Sequence, residues 1–413
     1  MRKTILLAAI IGTSALSSAA FARPMTETDL ATMKRLSGAT ASPDGTMIAY
    51  QLRETDLAAN KGKTDLYMLK IGANPQPMMF ASKPDKNEHD PAFAPDGKSI
   101  FYISNESGSD QIWRYDIATA TTTQASNFKA DVSGFKISPD GQKFAVWGDI
   151  ARDCMEFGCE KDGDTSKPGP GTGREYDQLM VRHWDQWETP GNYSRVFTVM
   201  LGADGKLGTS GAAMDGTLVG DAPSKPFGGS EEISWNADSS GIAFTLRLAD
   251  KNEAKSTNLD IYGAALKSKA PVNLTADNAG TDTTPAMSPD GKWMAWTSMP
   301  RATYEADRLV VKLMDVKSGK VTALTEKWDR SVASLAWALD SRSLLVTAQD
   351  VLETPLYRVD LKGKVTRLSD RGSIAEAVPL KNGGVVYAIN SISGPSDLVH
   401  MDAKGKTTRL THV

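Results

Sequence analysis

Histidine and cysteine are scarce: the 413-residue chain holds four of the first and two of the second. His89, His183, His400 and His412 fall in four different stretches, which leaves little material for a metal centre. Neither a metal nor any other cofactor is expected. Basic charge is not in excess either, with 47 Lys and Arg against 50 Asp and Glu and a net charge of −3. Nucleic acid and anionic membrane surfaces select basic faces, so neither is expected as the main partner. Past the amino terminus no apolar run approaches the roughly 20 residues of a spanning helix. What remains is 40% hydrophobic and 23% charged, enough for a sizeable core and too apolar for global disorder. The 35 glycines and 20 prolines point to frequent turns, and so to β structure.

Residues 1–22 read as a secretory signal peptide. Arg2 and Lys3 form a charged start, Ile5 to Ile11 an apolar stretch, and Ala20-Phe21-Ala22 a small-x-small cleavage site. Export to a periplasm or the medium is the expected location, where disulfides can form. Residues 23–36 form a lead-in, with Thr26–Leu36 expected as a short helix carrying Leu30, Met33 and Leu36 on its apolar side.

One turn phrase organises residues 37–413. Ser42-Pro43-Asp44-Gly45 recurs as Ala94-Pro95-Asp96-Gly97, Ser138-Pro139-Asp140-Gly141 and Ser288-Pro289-Asp290-Gly291. Degenerate copies are Asn236-Ala237-Asp238-Ser239, Ala338-Leu339-Asp340-Ser341 and Leu380-Lys381-Asn382-Gly383. Proline presets the first central turn position, Asp bonds nearby backbone, and Gly accepts the left-handed closing conformation. A short β-branched or aromatic run follows each copy, such as Ser99–Ile103 or Trp293–Thr297. Positions 44, 96, 140, 238, 290, 340 and 382 are 52, 44, 98, 52, 50 and 42 residues apart. Steps of about 40–50 residues with several strands each mark propeller blades. The expected fold is all-β: a seven-bladed β-propeller of four-stranded blades. The step of 98 is read as an insertion, at about 150–195, inside blade three, whose third and fourth strands are Arg195–Met200 and Thr217–Val219.

The insertion holds both cysteines, Cys154 and Cys159. A metal site needs more ligands nearby, and a redox pair favours a two-residue spacer. A bridge pinning a small loop is expected, worth roughly 2 kcal/mol by chain entropy. Further on stands Tyr176-Asp177-Gln178-Leu179-Met180-Val181-Arg182-His183-Trp184-Asp185-Gln186-Trp187. Closeness of His183 to Asp185 is no evidence of a triad, which needs convergence in space with a nucleophile. A structural segment is favoured, with Trp184 and Trp187 packed and Arg182 paired with a carboxylate.

The secretory start, the Ser-Pro-Asp-Gly blades, the Asp-Cys-x4-Cys loop and the Arg182-His183-Trp184-Asp185 segment together resemble the prolyl oligopeptidase family of serine peptidases. The nearest likeness is to its exported bacterial dipeptidyl- and acylaminoacyl-peptidase branch, to which Pro226-Phe227-Gly228-Gly229-Ser230-Glu231-Glu232 is also similar. The resemblance implies short peptides as substrates and a C-terminal α/β-hydrolase domain carrying serine, aspartate and histidine. Its nucleophile elbow needs Gly-x-Ser-x-Gly. Behind Ser14, Ser99, Ser210, Ser230 and Ser396 the closing position holds Leu16, Phe101, Ala212, Glu232 and Leu398. The hydrolase domain is therefore expected to be absent, no catalytic residue is assigned, and this chain alone is expected to be inactive. Glu231 and Glu232, with Arg182, are the candidate substrate-binding residues, since carboxylates suit a peptide's ammonium. The alternative is a stand-alone Tol-type periplasmic propeller that binds proteins or peptides.

Overall fold

The computed structural model describes residues 23–159, 171, 173, 175–176, 178–209, 211–268, 270–369 and 371–413. Residues 1–22, read above as a signal peptide, and Asp177 and Ser210 lie outside the described residues.

Each full turn phrase that begins with serine closes in the same way. Ser42 Oγ accepts from Met47 N at 2.9 Å, and Asp44 Oδ1 accepts from Thr46 N at 3.0 Å. Gly45, at φ +73°, occupies the left-handed position that its lack of Cβ permits. In the degenerate copies Ser239 and Ser341 take that position, both at φ 59°. Their hydroxyls accept from Asp140 N and Asp290 N of the neighbouring blades, so the loss of glycine is offset by a bond between blades.

The turns fold the chain into seven antiparallel meanders. Blade one is Arg35–Ala41, Met47–Asp56, Lys61–Lys70 and Met78–Ala81. Blade two runs from Glu88–Phe93 to Thr121–Gln124, blade five from Asp282–Met287 to Val321–Ala323, and blade six from Val332–Trp337 to Val365–Arg367. Blade seven runs from Ser373–Pro379 to Thr407–Arg409. First strands of neighbouring blades touch one another and so ring a central channel.

Period-two alternation on the second strands builds the core. In blade two, Ile100 and Tyr102 pack towards blade one, while Phe101 and Ile103 pack towards blade three. The result is an apolar wedge between every pair of blades. The seam between blades one and seven exchanges no strand. Leu36, Ile48 and Leu52 pack there on Val386, Leu398 and Leu410, and the Glu376 carboxylate accepts from Gly38 N and Ala39 N at 3.1 and 3.0 Å.

A second repeat closes the outer strands. A hydroxyl just after the fourth strand accepts a backbone N–H from the third: Ser126 from Ile112, Thr275 from Ile261, Thr325 from Val311, Ser369 from Leu356 and Thr411 from Leu398. Thr325 is buried, so Thr325→Val leaves the Val311 N–H without a partner. We expect a loss of about 1–3 kcal/mol in chemical denaturation; an unchanged midpoint would contradict the latch.

Three expectations are corrected. The helix is Glu27–Thr32, capped by Thr26 and Asp29, and none of its residues is buried. Leu36 instead starts blade one, where pairing with Leu52 places it in the seam core. The fourth strand of blade three is Ala212–Ala213, not Thr217–Val219. Val219 O accepts from Ala249 N, and Gly220–Asp221 adds to the far end of blade four's second strand, Gly241–Leu248. The long second strand outreaches its first-strand partner Ile233–Trp235, and the open length claims the passing segment.

Candidate functional site

Blade three's second and third strands, Lys143–Ala151 and Asn192–Met200, pair continuously up to Ala151 with Asn192, and the insertion leaves from there. Cys154 and Cys159 are bonded, with Cα atoms 5.6 Å apart. The loop is rooted by Arg195, which donates to the carbonyls of Ala151, Arg152 and Cys154 at 3.1, 3.1 and 2.7 Å. Its other donors form a fork on Asp215, at 2.6 and 3.0 Å, and both residues are 1% exposed.

Further along, Arg182–His183 and Gln186–Trp187 make a two-stranded hairpin. Trp184 and Trp187 do not pack into a core as expected; they are 76% and 55% exposed. No sheet lies beneath so short a hairpin to bury them. Arg182 lies over the Trp187 ring, 5.2 Å from its centroid, and among the described residues no carboxylate pairs with it. Trp184 and His183 both meet the edge of Phe227, at 6.1 and 6.2 Å.

Pro226 and Gly228, on either side of Phe227, line a cavity of about 720 Å³. Its walls are the first strands of blades one to three and the 223–231 stretch that leads into blade four. Five charged residues line it: Asp90, Lys136, Asp149, Lys225 and Glu231. Glu231 is exposed, accepts from Gly229 N at 2.9 Å and lines the cavity. Lys136 of the strand Gly134–Ile137 donates to Ser230 O at 3.0 Å and Ile233 O at 2.6 Å. Burial brings the Lys136 ammonium down to about 8, against the opposing pull of Glu231.

Glu232 is a different kind of residue. It is 5% exposed and accepts from Ser224 N at 2.7 Å, Ser224 Oγ at 2.9 Å and Thr283 Oγ1 at 2.8 Å. Burial raises its pKa while these bonds oppose the rise. It ties the 223–231 stretch to blade five and has no oxygen to spare for a ligand.

In the wall itself, Lys225 Nζ reaches Asp149, which also lines the cavity, and Asp221 and Glu188, at 3.0, 3.4 and 3.5 Å. Burial disfavours its charge, but the three carboxylates outweigh that and raise its pKa. Asp221 is pushed up to about 6 by burial, which Lys225 only partly offsets. Arg247 Nη1 lies 3.1 Å from His183 Nδ1 and donates to Lys225 O at 3.3 Å, so the hairpin is held against the cavity rim. Burial and then Arg247 lower the His183 pKa, which keeps the ring neutral as an acceptor. Among the described residues no group of three or more His, Cys, Asp or Glu side chains could hold a metal, and no helix is long and apolar enough to cross a membrane.

No protein-family model matches the chain. The dipeptidyl-peptidase 5 of Porphyromonas gingivalis is 30% identical over 406 residues, which are 97% of this chain and 58% of that protein. Among solved structures, the β-propeller domain of the trilobed protease from Pyrococcus furiosus superposes with a TM-score of 0.60 at 15% identity, over 92% of this chain and 98% of the domain. These likenesses bear out the resemblance to the propeller portion of the prolyl oligopeptidase family. The Pyrococcus horikoshii acylaminoacyl peptidase shares the fold as well, with a TM-score of 0.68 and 16% identity over 92% of this chain and 52% of the enzyme. The chain thus spans little more than half the length of the curated relative that it matches.

In this propeller the three residues singled out from sequence do not converge. Glu231 lines the cavity, Glu232 is buried behind it, and Arg182 stands on the hairpin outside. Lys136 and Lys225 were not singled out, and no motif marks them: each becomes visible only through the neighbours that folding brings to it.

Proposed function

We propose that this chain is the substrate-gating propeller of an exported serine peptidase, and that an α/β-hydrolase domain supplies the nucleophile, the base and its aspartate. Short peptides would enter the cavity and set their amino terminus on Glu231, with Arg182 and the exposed aromatics at the rim meeting the rest of the substrate. The observation that carries the reading is the pairing of a dipeptidyl-peptidase relative over 97% of the chain with a cavity that holds a fixed, solvent-facing carboxylate. The disulfide supports an oxidising compartment, and residues 1–22 a secretory route to it.

The loops joining second to third strands all emerge at one end of an antiparallel propeller. That end carries Val351, Leu352 and Ile392, which are 81%, 89% and 109% exposed. We place the hydrolase partner there.

Acyl transfer needs an activated nucleophile, an oriented base and an oxyanion hole. The purified chain alone should leave dipeptidyl and acylaminoacyl chromogenic substrates intact and take up no fluorophosphonate. Stoichiometric labelling that one serine substitution abolishes would overturn the reading.

A further inference from the structure

Blade one carries methionine at three facing positions near the end that bears the Ser-Pro-Asp-Gly turns. Met47 opens its second strand, Met68 lies near the close of its third, and Met78 begins its fourth. Met68 stands opposite Ala49 on one side and Met78 on the other, and Met47 precedes Ala49 by two residues. Side chains two apart along a strand, or directly opposed across strands, share a face of the sheet. All three therefore point towards blade two, where Ala49 and Met68 are buried and Met47 packs against the same wedge. Cβ atoms of opposed residues lie roughly 5 Å apart and diagonal ones roughly 7–8 Å, within reach of long, unbranched side chains. Met79 pairs with Tyr67, which packs in the wedge with blade seven, and so lies on the other face.

The three thioethers line one hollow of about 310 Å³. Met68 forms its floor, at 4% exposed, and Met78 its mouth, at 50%. Methionine in a core is ordinarily a gap filler. Here three of them surround a gap and leave it open. Among the described residues no His, Cys, Asp or Glu lines it; Asn74 and Gln76 add neutral amides, and Lys70 brings its one charge. A neutral, sulfur-rich donor set beside an ammonium disfavours hard divalent cations, which call for carboxylates. Soft thioethers suit monovalent copper, whose single charge is repelled least by Lys70. Lys70 is exposed, so its ammonium can turn to water. We propose that Met47, Met68 and Met78 bind one monovalent copper ion through their sulfurs, with no change in its oxidation state. The backbone beneath them is fixed: Met47 N donates to Ser42 Oγ and Ile71 N to Thr46 O, both at 2.9 Å. The site lies at the opposite end of the propeller from the insertion and shares no residue with the 720 Å³ cavity.

The test is anaerobic competition of the purified chain against the cuprous bicinchoninate complex, read by the loss of its colour. Wild type should withdraw one equivalent of monovalent copper that the triple variant Met47→Leu, Met68→Leu, Met78→Leu does not. Each single change should weaken binding by more than about 100-fold, since even a residue that only supports a ligand is worth about 10–100-fold. Met79→Leu, on the other face, should bind like wild type. Leucine nearly conserves the volume of methionine, so the variants should fold. X-ray absorption at the copper edge should show a shell of sulfur neighbours. Equal uptake by wild type and the triple variant, no uptake by wild type, a loss with Met79→Leu equal to that with Met78→Leu, or a shell of nitrogen and oxygen alone would overturn the proposal. Should Met68→Leu fail to fold, Met78→Leu decides alone, because its side chain is half exposed and carries little of the core.

Discussion

Arg195→Met should destabilise the chain by about 3–5 kcal/mol, the cost of stripping one partner from a buried ion pair. Arg195 uses all of its donor directions that face protein: a two-bond fork on Asp215 and three carbonyls at the root of the cysteine loop. Its removal leaves Asp215, 1% exposed, as an unpaired buried carboxylate, and frees Ala151, Arg152 and Cys154 together. Because most of the loss is the stranded charge, Asp215→Leu added to Arg195→Met should recover a large part of it. Denaturant unfolding of wild type, both single variants and the double variant measures this. A loss below about 1 kcal/mol for Arg195→Met, the range of an exposed pair, would show that the pair does not hold the insertion.

The adjacent glutamates should separate cleanly. Glu231→Gln should leave stability within about 0.5 kcal/mol of wild type, as an exposed substitution does. The same change should weaken binding of a free-amino dipeptide about 10–100-fold by removing a charge-assisted contact. Glu232→Gln should do the reverse. Its carboxylate accepts from three donors, and an amide keeps the Ser224 N–H on its one oxygen only if the Ser224 and Thr283 hydroxyls both turn to accept from its nitrogen. The expected cost is about 1–3 kcal/mol of stability, read as a lower denaturation midpoint. In a peptidase assembled from this propeller and the hydrolase domain of a relative, Glu231→Gln should raise KM. An unchanged KM would remove Glu231 from the site.

Propeller architecture was legible because its signal is local and repeated. A turn needs Pro, Asp and Gly at fixed offsets whatever surrounds it, so the copies at Asp44, Asp96, Asp140 and Asp290 announce the second strands that follow them. The hydroxyl latch was also written in the chain, as Leu274-Thr275, Leu324-Thr325, Leu368-Ser369 and Leu410-Thr411, but its function shows only when a third-strand N–H arrives. Where tertiary partners decide, propensity misled. Thr217-Leu218-Val219 is a better β sequence than Ala212-Ala213, yet the latter pairs with Phe197 and Thr198. Glu231 and Glu232 are identical in sequence terms and are told apart only by the burial that Ser224 and Thr283 impose. Trp184 and Trp187 carry an apolar composition that promises a core, but the hairpin that bears them has none to join.

Comparison of two ligands on the unmodified chain tests the central claim most directly. The account holds that the propeller cavity recognises a peptide by its charged amino terminus. Titration at pH 6.5 with alanyl-phenylalanine amide and with its N-acetyl form changes that one group and nothing else. The account predicts that the free amine binds at least about tenfold more tightly, with the difference abolished by Glu231→Gln. Equal affinity for the two ligands, or preference for the acetylated one, would contradict it.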